Sequence, residues 1–437
     1  MPQTLSGASA FAITQSQGET ARARIASHLL PFLFLLYIAN YLDRTNIAYA
    51  ALGMKGDLGL TDPVFGTATG IFFIGYLGLQ IPGALLVERW SARLLLSITL
   101  ITWGALTTLT GLVRTPLQLY GARFLLGAAE AGFFPGVIVY LSHWFIYEDR
   151  SKAVARFMSA IPIAFMLGGP IAGKILGVEW LGITGWRWLF FLEGAPAIIF
   201  GIATAFLLPD RPTDVGWLTV DERSWLTAHL AAEKQAKSHL QHVTIWQALR
   251  HGPVVLLMVG LFFIYTSGYA FYFWMPTLLQ RFTGWSTERV GWVGALPFLA
   301  GLIGMLVIGW SSDRMRERRW HFALPELAAA AALTLWLLIP HSTPALIAVF
   351  IVLGIGSNAY LPAFWALPSS LLSGSAAAAA IGFINSAASL GGFFGPKIVG
   401  NLSQMTGSFR AGFIFMIACW LVGTVLVLLC RRGSAAS

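Results

Sequence analysis

Charge is scarce in this sequence. Only 11% of its 437 residues are Asp, Glu, Lys or Arg, and 57% are hydrophobic, whereas soluble domains carry about a quarter charged residues. A water-facing surface over the whole chain is therefore excluded. Cysteine is scarcer still: Cys419 and Cys430 are the two, and as residues of one helix they would stand about 16 Å apart along its axis. A disulfide between them is excluded. The sequence also lacks a Cys/His cluster at metal spacing, a nucleophile–base pair and a phosphate-binding loop. No metal, no cofactor and no enzymatic activity are expected.

What the sequence has is apolar blocks of roughly 20 residues, the length that crosses about 30 Å of hydrocarbon as a helix. Twelve are read, at 26–51, 64–87, 93–112, 117–141, 154–177, 187–208, 252–279, 289–310, 321–340, 344–372, 376–402 and 409–430. The expected fold is an all-α membrane protein. Most of the 28 Lys and Arg residues fall on alternate connections, among them Arg22, Arg24, Arg89, Arg93, Arg150, Arg211, Arg250, Arg314 and Arg431. Positive residues gather on the cytoplasmic side, so both termini are expected inside, with the chain in the inner membrane. The net charge of +9 is thus a topology signal, and nucleic acid is not an expected partner. The layout is a tail at 1–25, a six-helix bundle at 26–208, a polar linker at 209–251, a second bundle at 252–430 and a tail at 431–437.

The two bundles are related. Glu88-Arg89 after the second block and Asp313-Arg314 after the eighth are 225 positions apart, and Gly169-Pro170 and Gly395-Pro396 are 226 apart. Two parallel six-helix repeats follow. An acid–Arg pair in a tight loop can link helix ends and break as two bundles rock. It can also simply fix topology; that both loops carry it favours gating.

Four segments carry a resemblance: Asn40 to Ile47 (NYLDRTNI), Arg123 to Gly136 (RFLLGAAEAGFFPG), Asp313 to His321, and Phe364 to Pro368 continuing to Gly382 to Ser386. With the loops and the six-plus-six layout, they resemble the major facilitator superfamily, and within it the anion:cation symporters, which carry phthalate, hydroxyphenylacetate, tartrate and sugar acids. The resemblance implies the major facilitator fold and alternating access. It also implies symport of a proton with a small organic carboxylate, by a chain working as a monomer in the lipid bilayer.

Ionisable residues inside the blocks need explaining, because a charge at mid-membrane costs about 2.5–3.5 kcal/mol even on insertion scales. Asp43 and Arg44 sit deep in the first block. Asn40 and Arg44 share one helix face, while Asp43 and Asn46 share another. Arg44 offers a planar fork to a substrate carboxylate, and Asp43 a carboxyl that binds a proton when desolvated. The competing reading is an inter-helix salt bridge that only holds the bundle together. Arg123 and Glu130, two turns apart in the fourth block, share a face. Arg123 is either a counter-charge for Asp43 or Glu130, or an outer-third residue that snorkels. The resemblance gives Glu130 the role of proton coupling.

The second half has few comparable charges. At the repeat offset Asp43 falls on Gly268 and Arg44 on Tyr269, so the first half is expected to handle proton and carboxylate and the second to offer neutral contacts. Tyr265, Tyr269 and Tyr272 recur at helical spacing, either as packing or as pocket wall. The resemblance adds Tyr76, Trp365 and Asn385 to the pocket, with Gln80 one turn beyond Tyr76. Glu193, early in the sixth block just after the interfacial aromatic cluster Trp186-Arg187-Trp188, is read as a bland interfacial charge, and Glu326, two turns past Arg319, as a partner of the cytoplasmic rim. Export or anion exchange stays open, because Gly168-Gly169-Pro170 with Gly173 resembles part of an antiporter motif. A sensor that binds the anion without moving it would usually add a soluble output domain.

Overall fold

A computed structural model describes residues 7–89, 91–238, 252–339, 342–371 and 374–430. The described chain is helical throughout, apart from turns, one 3-10 turn and one isolated bridge between Trp180 and Ile183. Inside a bilayer a helix satisfies its own backbone, and the loops must satisfy what is left. The first half holds α1 (Gly7–Asp57), α2 (Asp62–Arg89), α3 (Ala92–Thr110), α4 (Pro116–Glu130), α5 (Phe133–Trp144), α6 (Tyr147–Met158), α7 (Ala160–Leu176) and α8 (Gly185–Leu207). After α9 (Val220–Ser238) come α10 (Gly252–Thr283), α11 (Thr287–Met315), α12 (Arg319–Leu338), α13 (Thr343–Ala359), α14 (Leu361–Leu371), α15 (Gly374–Ser389), α16 (Gly391–Thr406) and α17 (Arg410–Leu429). Starts are marked by side chains that accept orphan N–H groups: Ser91 from Leu94, Thr115 from Gln118, Ser286 from Arg289 and Ser342 from Ala345.

Eleven spans among the described residues are long and apolar enough to cross a membrane, three of them formed by two consecutive helices, α4 with α5, α6 with α7 and α13 with α14. The eleventh expected span, 376–402, falls on α15 and α16, which part at Leu390, where Leu390 bonds back to Ala387 and Phe393 to Leu390 in i to i+3 steps. The other breaks have a chemical cause. Pro135, Pro162 and Pro362 lack an N–H, so the carbonyls four residues earlier, at Ala131, Met158 and Asn358, lose their helical donor. The α4–α5 break thereby falls directly after Glu130.

Both polar segments, the tail and the linker, carry helix. The tail at 1–25 is largely helix, because α1 begins at Gly7. Arg22 pairs with Asp149, and Arg24 with Glu222 at 3.0 Å. The linker contains α9, which starts with a capping box: Thr219 N–H donates to Glu222 and Glu222 N–H to the Thr219 hydroxyl. Its flank docks on the first half, with Trp217 stacked on His28 and on Trp144.

The halves meet along two seams, α2 against α16 and α7 against α11. At Gly66 a Cβ would stand 2.4 Å from the Pro396 carbonyl oxygen, and at Gly291 2.2 Å from that of Gly169. Only glycine admits this approach. Gly66 and Gly291 are 225 positions apart, the same offset as Glu88 and Asp313, so the seams are repeat-related. At the α1–α2 end, Asp62 ties them together: it accepts from Lys55, from Arg281 at 2.9 Å and from Ser403 at 2.9 Å. At mid-height Phe73 packs on Tyr269 and Phe165 on Phe298. At the linker end the described ion pairs, Arg22–Asp149, Arg93–Asp210, Arg150–Glu233 and Arg318–Asp313, stay within one half or its docked linker.

Candidate functional site

At mid-height α1 presents two faces, as its spacing requires, and each holds a different acid. On one face Asn40 Nδ2 and Arg44 Nη2 both donate to Glu130 Oε2, at 3.0 and 2.8 Å. Glu130 reaches them because it ends α4. Three rings of Tyr41, Phe72 and Tyr76 surround the guanidinium, their centroids 5.1, 5.4 and 5.1 Å from Arg44 Cζ. Two groups stay free in this arrangement: Arg44 Nε and Glu130 Oε1 are buried without a partner. The fork expected for a substrate carboxylate is therefore occupied on one tine by the protein's own carboxylate.

On the other face Asp43 is fully buried, accepting from Asn46 Nδ2 and from Trp103 Nε1, each at 2.8 Å. Asp43 and Arg44 do not pair with each other. Glu193 of α8 lies against Asn46 within electrostatic reach of Asp43, and its Oε2 is buried without a partner. The interfacial assignment of Glu193 is thus corrected: it belongs to the Asp43 cluster. Of the two readings of Arg123, the snorkelling one is overturned. It does not snorkel but is fully buried, none of its three side-chain nitrogens has a hydrogen-bond partner, and Phe72 lies over it at 4.9 Å. Phe72 thus stands close to both guanidinium groups, and Arg123 feels both Asp43 and Glu130 without bonding to either.

From the second half, Tyr269 reaches toward this cluster, within electrostatic range of Arg44 and Tyr76. Tyr265 donates to Asn385 Oδ1 at 3.4 Å and meets Tyr269 edge-on. Tyr272 is more committed to packing, with its ring between Phe165 and Phe298 and its hydroxyl donating to the Ser357 carbonyl at 3.0 Å. Gln80 accepts from Ser386 across the seam at 3.0 Å. Trp365, half-buried on α14, packs edge-on against Phe364. Arg44, Tyr76, Glu130 and Tyr269 are thus brought together, and Asn385 is joined through Tyr265. Sequence reasoning missed Trp103, Tyr41 and Phe72; a Trp N–H inside an apolar block was the one available signal.

The expected gate loops differ. The side chains of Glu88 and Arg89 lie outside the described residues. Asp313 pairs with Arg318 at 2.6 Å inside its own loop, while Arg314 lies over Trp310. Arg316 closes α11 with left-handed backbone, φ 52°. Glu317 stands just before α12: although burial opposes it, donation from the N–H groups of Trp320 and His321 and from the His321 ring holds its carboxyl below the usual range. Glu326 is not at the rim. It is fully buried, and Arg319 instead donates to the Leu428 carbonyl. A cavity of about 510 Å³ opens at the α1–α2 end, lined by Asp57 and Glu179 among others. Its acids make it a poor anion site, and it lies away from Arg44.

A sequence profile described as Major Facilitator Superfamily matches residues 33–396 and 283–436. A protein of Agrobacterium vitis named "Putative tartrate transporter" is 39% identical over 412 residues, 94% of this chain and 91% of its own length. A "Quinolone resistance transporter" of Acinetobacter baumannii is 36% identical, over 91% of this chain and 92% of its own. Among solved structures, a bacterial homologue of the human lysosomal transporter Spinster, inward-facing and occupied, superposes with a TM-score of 0.77 at 19% identity, covering 94% of this chain and 99% of that one.

Proposed function

Because this chain belongs to the major facilitator superfamily, and is a multi-pass membrane transporter and not an enzyme, we propose that it carries a small organic carboxylate in symport with protons. The observation that carries the reading is the buried Arg44–Glu130 pair inside its ring of aromatics, facing the second half. Arg44 is the accessible member, its side chain 13% exposed against 0% for Glu130. An incoming carboxylate takes the guanidinium fork and displaces Glu130. A displaced Glu130 anion in this dry surrounding is costly, so a proton neutralises it, and anion and proton bind together. Asp43 and Glu193, behind α1, give a second place for protons to enter and leave. Tyr76, Tyr269 and Asn385 hold the rest of the substrate by neutral contacts.

The electrical balance supports coupling. An anion entering a negative cell is opposed by about 2.3 kcal/mol per charge per 100 mV, and one accompanying proton cancels that. With both termini cytoplasmic, as the basic residues favour, the α1–α2 end faces outward across the inner membrane. The Asp62 network and the glycine seams then close the outer side, and alternating access opens them while the linker end closes. Both halves of the pathway lie in one chain, which supports a monomeric working unit.

A second reading, export of the carboxylate, is favoured by the relative named for quinolone resistance. The test of carboxylate recognition is counterflow in proteoliposomes across labelled aromatic, hydroxy and sugar acids, each beside its neutral amide. Exchange of at least one acid, but of none of the amides, is expected. Equal exchange of amides would remove Arg44 from recognition.

A further inference from the structure

The mechanism leaves one buried acid unused. Glu326, directly after Pro325 on α12, is fully buried, and neither Oε1 nor Oε2 has a hydrogen-bond partner. Asp43 and Glu130 each receive two donors, and Glu193, which leaves only Oε2 without a partner, lies against Asn46. No Lys, Arg or His on the described residues of α11, α13, α14 or α17 acts on Glu326. On its own helix, Arg319 is engaged by Leu428 and His321 by Glu317 and Ser311. The ionisable groups that feel it are two phenols, Tyr272 of α10 and Tyr360 at the end of α13. An anion with two unbonded oxygens in apolar surroundings is among the least favourable arrangements in a protein, whereas the neutral acid is not.

The placement also offers a route. Gly356 of α13 packs against the Pro325 carbonyl and Ala329, which puts its neighbour Ser357 beside the Glu326 turn. The Ser357 hydroxyl is likewise buried and unpartnered, and its carbonyl accepts the Tyr272 hydroxyl at 3.0 Å. Tyr272 packs at its other side on Phe165 of the first half. Tyr272 thus links the plane between the halves to the turn of α13 that packs beside Pro325 and Glu326.

We propose that Glu326 is a second, exchangeable proton-binding site, located in the C-terminal half, and that it holds its proton in the conformation closed at the α1–α2 end. The proton's place in a transport cycle rests on the symport reading; its presence on Glu326 rests on the geometry alone.

Infrared difference spectroscopy on the full chain in lipid tests this without a substrate. Wild type is expected to show one protonated-carboxyl band that Glu326→Gln lacks and Glu326→Asp shifts. The band should move in D2O and disappear reversibly as pH is raised. If Gln fails to fold, the Asp shift alone assigns the band. A wild type without the band overturns the proposal, as does a band that neither exchanges nor titrates, which marks a permanently neutral packing group. If wild-type vesicles move no carboxylate while the band behaves as expected, the symport reading fails and the proton site stands.

Discussion

Replacing Glu130 by Gln removes the internal competitor for Arg44 while keeping its shape. In the wild type an anion must break contacts of 2.8 Å to Arg44 and 3.0 Å to Asn40. The pair is nearly sealed from solvent, with side-chain exposures of 13% and 0%, so screening does little. A hydrogen bond to a charged group contributes about 1.5–3 kcal/mol net, and a neutral one about 0.5–1.5 kcal/mol. Gln should therefore hold Arg44 less firmly by about 1–1.5 kcal/mol, and the carboxylate identified by counterflow should bind about tenfold more tightly. The pH dependence follows in sign. Because anion and proton bind together in the symport reading, wild-type affinity rises as pH falls, whereas a variant without the coupling acid shows no such rise. Calorimetric titration at several pH values reads both effects, and vesicle uptake should show proton-driven accumulation abolished with counterflow retained. A Gln variant that binds more weakly at every pH, or that still concentrates substrate on a proton gradient, would refute the competition and leave Asp43 as the coupling acid.

Arg44→Lys keeps the charge and loses the fork, so carboxylate affinity should fall about tenfold or more at normal folding, read by the same titration. Asp62→Asn weakens the tie to Lys55, Arg281 and Ser403; because Arg281 is half exposed, with a side chain 48% accessible, most of the effect comes through Lys55. The conformer open at the α1–α2 end should gain about tenfold, on the order of 1.4 kcal/mol, and electron–electron distance measurements between labels at Thr61 and Met405 should lengthen.

The helix-spaced part of the site was legible because α1 is a single element: four-residue spacing put Asn40 and Arg44 on one face, and both indeed bond one group. Which group was not legible, since Glu130 stands 86 positions from Arg44 and its arrival depends on how α4 packs and where Pro135 breaks it. Depth in the membrane is readable from sequence, but the direction a side chain takes round its helix is not. That is why Glu326 was assigned to the rim and Arg123 was left between a counter-charge and a snorkelling position. The seam glycines Gly66 and Gly291 carried the repeat offset in plain view, yet glycine is so common here, at 46 residues, that pairing them needs the backbones in contact. The division of the eleventh span at Leu390 has no proline to announce it.

Proton coupling is the central claim, and it is tested most directly by following substrate and proton in the same vesicles. Proteoliposomes loaded with a pH indicator and given the labelled carboxylate identified by counterflow should accumulate it above equilibrium under an inward proton gradient. Their lumen should acidify in proportion to uptake, and both signals should vanish with a protonophore. Uptake that merely equilibrates, with the lumenal pH unchanged by substrate, would contradict the account and leave a passive anion carrier.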